Sequence, residues 1–245
     1  MENRFADSRR RLITIPISHY CEKARWALDR AGLSYREERH VQGWHVVAAR
    51  RAGGRNTVPV LVAPEGVFAD SEWIVRYADA SLFTPEAEPL SRWLDDELGP
   101  RTRRLIYAHI LPYKRGVLPY NNQGVPGWEA RALDTGYPAV ARWGGWLFDI
   151  TPDTLHEEPE RIHALFDAVA ERRAGTYLCG EHFTAADLTF AALAAPVLLP
   201  PEYGIRLPTI DELPDAAVRD VRAFRAHSAG EYALKLYREQ RRAAI

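Results

Sequence analysis

The chain has 245 residues, 47% hydrophobic and 27% charged, with a formal net charge of -1 at pH 7. That length can bury a sizeable core in one large or two small domains, and the near-neutral balance gives no electrostatic ground for nucleic acid or an anionic membrane as partner. Two cysteines, Cys21 and Cys179, are too few for a disulfide framework or a cysteine-based zinc site.

The start, MENRFADSRRRL, is charged and lacks the apolar core of a signal peptide. No run approaches the ~20 apolar residues that span a bilayer, so a soluble, cytoplasmic protein is expected. Residues 12–17, LITIPI, read as a strand. Residues 22–32, EKARWALDRAG, read as a helix with Ala24, Ala27, Leu28 and Ala31 on one stripe and Gly32 at its stop. LSYREERHV (33–41) resumes as a strand, and HVVAARRAGG (45–54) is a short helix closed by two glycines. TVPVLVA (57–63) and VFAD (67–70) are strands joined by the turn PEG, and SEWIVRYADASL (71–82) is a helix. The order β-α-β-α-β-β-α predicts helices packed on one mixed sheet.

After Phe83-Thr84-Pro85 the strand signals stop. Helical periodicity follows in 91–111, 138–150, 160–173, 185–195 and 215–227, while 113–136 reads as a loop-rich insertion. The expected organisation is an α/β domain over 1–82, a linker over 83–90 and an all-helical domain over 91–245. The arginine pairs Arg50-Arg51, Arg103-Arg104 and Arg172-Arg173 read as solvated helical faces. The histidines show no i, i+4 pairing and His156 and His163 lie too far apart along a helix to share an ion, so no metal is expected.

Three features in order, Ser18-x-x-Cys21 opening a helix, Val58-Pro59 entering a strand and Asp70-Ser71 opening a third helix, resemble the glutathione transferase superfamily. A fourth, GEHFTAADLTFAAL (180–193), lies far downstream. The resemblance is to a serine-type, bacterial-like member, and is best at 12–80 and 174–195. It implies a thioredoxin-like N-terminal domain, a helical C-terminal domain, glutathione as co-substrate, a small hydrophobic or electrophilic molecule as second substrate, no metal, and a homodimer.

The chemistry follows from the residue types. A free thiol titrates near ~8.5, and lowering that by about two units takes roughly 2.7 kcal/mol of preferential thiolate stabilisation. A hydroxyl donating to a charged acceptor supplies about 1.5–3 kcal/mol, and a helix N-terminus about 0.3–1 kcal/mol. Serine forms no disulfide, so Ser18 is suited to hold a thiol that a ligand brings. Ser18 is also a good N-cap, and taken alone the capping role would be the better reading; Asp70-Ser71 shifts the balance toward a ligand.

On the resemblance, Asp70 and Ser71 grip the γ-glutamyl end of glutathione, and Val58-Pro59 is a cis-proline turn whose backbone pairs with its cysteinyl unit. Trp44, His45, Arg55 and Asn56 are candidates for its glycine carboxylate. Tyr20, Tyr107, His109 and Tyr113 are candidates for the second substrate's pocket. Thr184 and Asp187 form a capping box, with Phe183 and Leu188 as a hydrophobic staple, for stability rather than chemistry. Two rival functions remain: a thiol oxidoreductase based on Cys21, although a thiol at the fourth position is usually the buried partner, and a non-catalytic binding or scaffold module on the same fold.

Overall fold

The computed structural model describes residues 9–241. Residues 1–8, the larger part of the charged start, and 242–245 lie outside the described residues, as do the outer ends of both expected domains. Four strands, β1 (Arg11–Thr14), β2 (Arg36–Arg39), β3 (Val60–Ala63) and β4 (Gly66–Phe68), form one sheet in the order β2-β1-β3-β4. β2 runs parallel to β1, while β3 is antiparallel to both β1 and β4.

The register sets the two faces. Leu12 pairs with Leu61, and both join Ala24, Leu28 and Ile74 in the core under α1 (His19–Arg30) and α3 (Ser71–Ala78). The adjacent pair, Ile13 and Val60, meets Ala49 of α2 (Trp44–Arg51) on the other face. Successive strand residues alternate faces, so a one-residue slip would exchange these cores. The charged sequence Arg36-Glu37-Glu38-Arg39 suits β2 to its edge position.

Seven further helices follow: α4 (Ala87–Ile110), α5 (Lys114–Asn121), α6 (Gly127–Leu147), α7 (Thr154–Arg172), α8 (Ala185–Leu198), α9 (Asp215–Ala226) and α10 (Ser228–Leu236). α8 is apolar around nearly its whole circumference and buried along its length, which marks a central helix. It packs against α1, α4, α9 and α10. The protein therefore has the expected class, an α/β sheet layer followed by an all-helical layer.

One expectation fails. Residues 113–136 are largely helical, forming α5 and the first half of α6. Their prolines and glycines suggest a loop, but Pro126 sits at the N-cap of α6, and Pro119 and Pro138 are carried inside helices. Packing outweighs propensity here. Val117, Leu118, Leu133 and Tyr137 close a small core on Val41, and the Glu129 carboxylate accepts from the Val41 N–H (3.1 Å) and bonds His40 Nδ1 (2.8 Å). α10 is an addition: sequence periodicity ends the last helix at 227.

Among the described residues, no helix is long and apolar enough to cross a membrane, and no cluster of His, Cys, Asp or Glu side chains could hold a metal ion.

Candidate functional site

Strand directions bring the sequence motifs together. β1, β2 and β4 end where β3 begins, because β3 runs against β1 and β4 while β2 runs with β1. Ser18 follows β1, Trp44 and His45 follow β2, Val58-Pro59 precedes β3, and Asp70-Ser71 follow β4. All four segments thus share one end of the sheet.

Ser18 is the N-cap of α1 and accepts from the Cys21 N–H at a long 3.4 Å. Ser18 as a residue is half-buried. Cys21, one turn on, is fully buried. Burial pushes its thiol up to about 11 against the opposing field of Arg25 and the Ser18 hydrogen bond. A reactive cysteine needs exposure and a depressed pKa, and Cys21 has neither.

The loop before Ser18 is clamped from beneath. The buried Arg25 guanidinium donates to the Pro16 carbonyl (2.7 Å) and the Ile15 carbonyl (3.5 Å), and pairs with Glu22 (3.0 Å) and Glu37 (2.8 Å). Glu22 also accepts from Arg241 Nε at 2.9 Å and from the Gly204 N–H at 3.1 Å. Sequence periodicity sees one apolar stripe on this helix, yet every residue from Cys21 to Leu28 is buried. The missed signal is the density of opposite charges at 22, 23 and 25 in a helix that both layers cover.

The Val58–Pro59 bond is cis. Asp70 caps α3, its Oδ1 accepting from the Glu72 N–H at 2.8 Å, and Ser71 is buried at the helix's first position. His45 is half-buried, and its Nδ1 accepts from the Gly43 N–H at 3.1 Å. Burial lowers the His45 pKa, against hydrogen bonds to the Val41 and Asn56 backbones. Asn56 and Arg55 are exposed, with Asn56 Oδ1 taken by Arg50 Nε at 2.7 Å. Trp44 is exposed and stands edge-on to Trp128, 4.8 Å between ring centres.

A narrow apolar cleft with a volume of about 50 Å³ opens between the loop around Ser18, α4, α5 and the segment after α8. Ile17 and His19, on either side of Ser18, line it together with Tyr107 and Tyr203. Burial drives His19 down to about 3, with the charge of Arg103 acting in the same direction, so its imidazole is neutral at pH 7. Burial raises Tyr107 and Tyr203, which stay protonated.

The other three pocket candidates lie elsewhere. Tyr20 turns onto α4, where its hydroxyl donates to the Asp95 carbonyl at 3.1 Å across Gly99. A Cβ on Gly99 would collide with the Tyr20 hydroxyl, so the glycine is what admits the ring. His109 is buried against Asp220 of α9 at 2.7 Å. Tyr113 is exposed beside Lys114 and Asp211 on a neighbouring depression.

Arg103 and Arg104 correct the reading of arginine pairs as solvated faces. Both are half-buried. Arg104 donates to the buried Glu158 (2.8 Å) and the Phe148 carbonyl (2.9 Å), whereas Arg103 lines the cleft.

Residues 12–85 match the family model of the glutathione S-transferase N-terminal domain. No curated protein matches the chain. A glutathione transferase from Phanerochaete chrysosporium is similar at 16% identity with a TM-score of 0.63, covering 96% of this chain and 99% of that one. A glutathione S-transferase of Ceriporiopsis subvermispora, solved in complex with glutathione, is similar at 16% identity and TM-score 0.59, over 94% and 97% of the two chains. A beta-etherase from Sphingobium sp. strain SYK-6 is similar at 15% identity and TM-score 0.55, over 93% and 99%. At such identities the likeness is one of fold.

Proposed function

We propose that this chain, a member of the glutathione transferase superfamily, binds glutathione at the loop end of its sheet and uses Ser18 to hold the glutathione thiol as thiolate. The thiolate then attacks a small electrophile seated in the cleft beside it. The observation that carries the reading is the contrast at the start of α1, a half-buried serine holding only a long 3.4 Å cap bond and a hydrogen bond to the thiol below, above a buried, protonated cysteine.

In this reading the Ser18 O–H donates to the glutathione sulfur and the first turn of α1 adds its positive end. Together they supply about 2–4 kcal/mol, enough to lower a thiol pKa by one to two units. The Val58 backbone pairs with the cysteinyl unit as an added strand. The Ser71 hydroxyl and the N–H groups opening α3 receive the γ-glutamyl carboxylate. Asp70 caps the helix through Oδ1 and offers Oδ2 to the amino group. His45 and Asn56 are the residues proposed for the glycine carboxylate. Transfer, isomerisation, dehalogenation and peroxide reduction all start from this thiolate.

Burial of Cys21 argues against the oxidoreductase alternative, and calorimetric titration with glutathione tests the scaffold alternative. Saturable one-to-one binding is expected; no binding at cellular glutathione concentrations would remove the reading. We also propose a cytoplasmic homodimer. Equilibrium sedimentation returning one chain's mass, 27.8 kDa, across micromolar concentrations would contradict the dimer.

A further inference from the structure

The arginines of α4 differ in how their charge is met. Arg92 pairs with Glu88 at 3.1 Å, Arg101 with Glu97 at 3.1 Å and Arg104 with Glu158 at 2.8 Å. Arg103 makes no hydrogen bond or ion pair among the described residues. Its Nε is buried without a partner, and the guanidinium stacks 4.4 Å from the centre of the Phe148 ring. A buried donor nitrogen without a partner is costly, and proteins ordinarily supply one.

The surroundings of Arg103 hold no such partner. No aspartate or glutamate lines the cleft, whose walls are mainly Ile17, Ile106, Val117, Leu199 and Leu207. The titratable groups facing the guanidinium are His19, Tyr20 and Tyr107. With the imidazole neutral and the phenols protonated, Arg103 is the cation of this cleft. A small apolar cleft with one guanidinium whose Nε has no partner is complementary to an apolar molecule that carries a planar anion, which Arg can grip with two parallel hydrogen bonds.

We propose that the cleft beside Ser18 selects an apolar ligand bearing a carboxylate, and that Arg103 is the residue that binds that carboxylate. Resting on the reading above, this ligand is the electrophilic second substrate, held with its apolar body toward the Ser18 loop. Arg103 then acts as a specificity residue, orienting the acceptor without touching the sulfur.

The test uses trans-cinnamate and its neutral isostere cinnamamide, titrated calorimetrically into glutathione-free protein, with glutathione titrated separately. Wild type should bind the carboxylate roughly ten- to a hundredfold more tightly than the amide, the range expected for one charge-assisted contact. Arg103→Met should abolish that preference and leave glutathione affinity unchanged, while Arg103→Lys, which keeps the charge but not the fork, should retain part of it. Equal binding of the two probes by wild type, or a preference that survives Arg103→Met, would overturn the proposal. Loss of glutathione binding in a folded Arg103→Met protein would overturn it too, by assigning the guanidinium to a glutathione carboxylate. If wild type shows the carboxylate preference but binds no glutathione, the anion site stands and the transferase reading falls.

Discussion

At the start of α8, Asp187 accepts from the N–H and hydroxyl of Thr184, the N–H of Leu178 and the hydroxyl of Tyr232, all within the core. At the start of α1, Ser18 accepts a long 3.4 Å cap bond from the Cys21 N–H and hydrogen-bonds the Cys21 thiol, and the residue is only half-buried. Both are helix N-termini with orphan N–H groups to satisfy. The first is closed by its own side chains, which makes it a structural joint. The second is left incomplete, and its loop is held from below by Arg25, which donates to the Ile15 and Pro16 carbonyls. A helix start becomes a site where its donors are left for a ligand.

The largest way to break this comparison is Asp187→Ala. It leaves four buried donors without their acceptor, and the expected loss is about 3–5 kcal/mol of unfolding free energy by urea denaturation. Glutathione affinity of the remaining folded protein should not change, because the joint lies outside the site. A variant with full stability would show that the Asp187 network is not what closes α8.

Glu37 sharpens the other half. Burial raises its pKa, but Arg25 and Arg39 outweigh that and hold it at about 2 instead of 4.5. A carboxylate with a depressed folded pKa contributes stability that is present above its unfolded value and is lost as pH falls toward the folded one. The window is therefore about pH 4.5 down to 2, and the contribution is about 3 kcal/mol at most. Acid unfolding should show this loss in wild type, while Glu37→Gln should be less stable at neutral pH and flatter across the window. Parallel curves for the two proteins would mean that Glu37 does not anchor Arg25 under the Ser18 loop.

Thr184→Ala is the smallest of these changes. It removes one cap hydroxyl and should cost about 1 kcal/mol, with glutathione affinity again unchanged. A large affinity loss without unfolding would put the α8 start in the site.

The β-α-β-α-β-β-α order, the capping box and the helix starts at Ser18 and Asp70 could be read from the sequence because each depends on local signals. Strand alternation, turn glycines and N-cap residues act over a few positions. What escaped the reading depends on contacts distant in sequence. The prolines of 113–136 predict loops until Val41 and Glu129 supply a reason for α5 and α6 to fold there. Arg103 and Arg104 are adjacent letters with the same propensity, yet Glu158, more than fifty positions away, meets only the second. The burial of Glu22, Lys23 and Arg25 is equally invisible locally, since their partners Asp95, Glu37 and Arg241 arrive from other elements.

The most direct test of the central claim compares Ser18→Ala with Cys21→Ala by following the ultraviolet absorbance of bound glutathione thiolate across pH. If Ser18 holds the sulfur, its removal should raise the thiol midpoint by one to two units, on the order of 1.4–2.7 kcal/mol. Glutathione affinity should change little, because the tripeptide is held mainly elsewhere. Cys21→Ala should leave the midpoint where it was, since that thiol is buried and protonated. An unchanged midpoint in Ser18→Ala, together with loss of the thiolate signal in Cys21→Ala, would contradict the serine mechanism and return the chemistry to the cysteine.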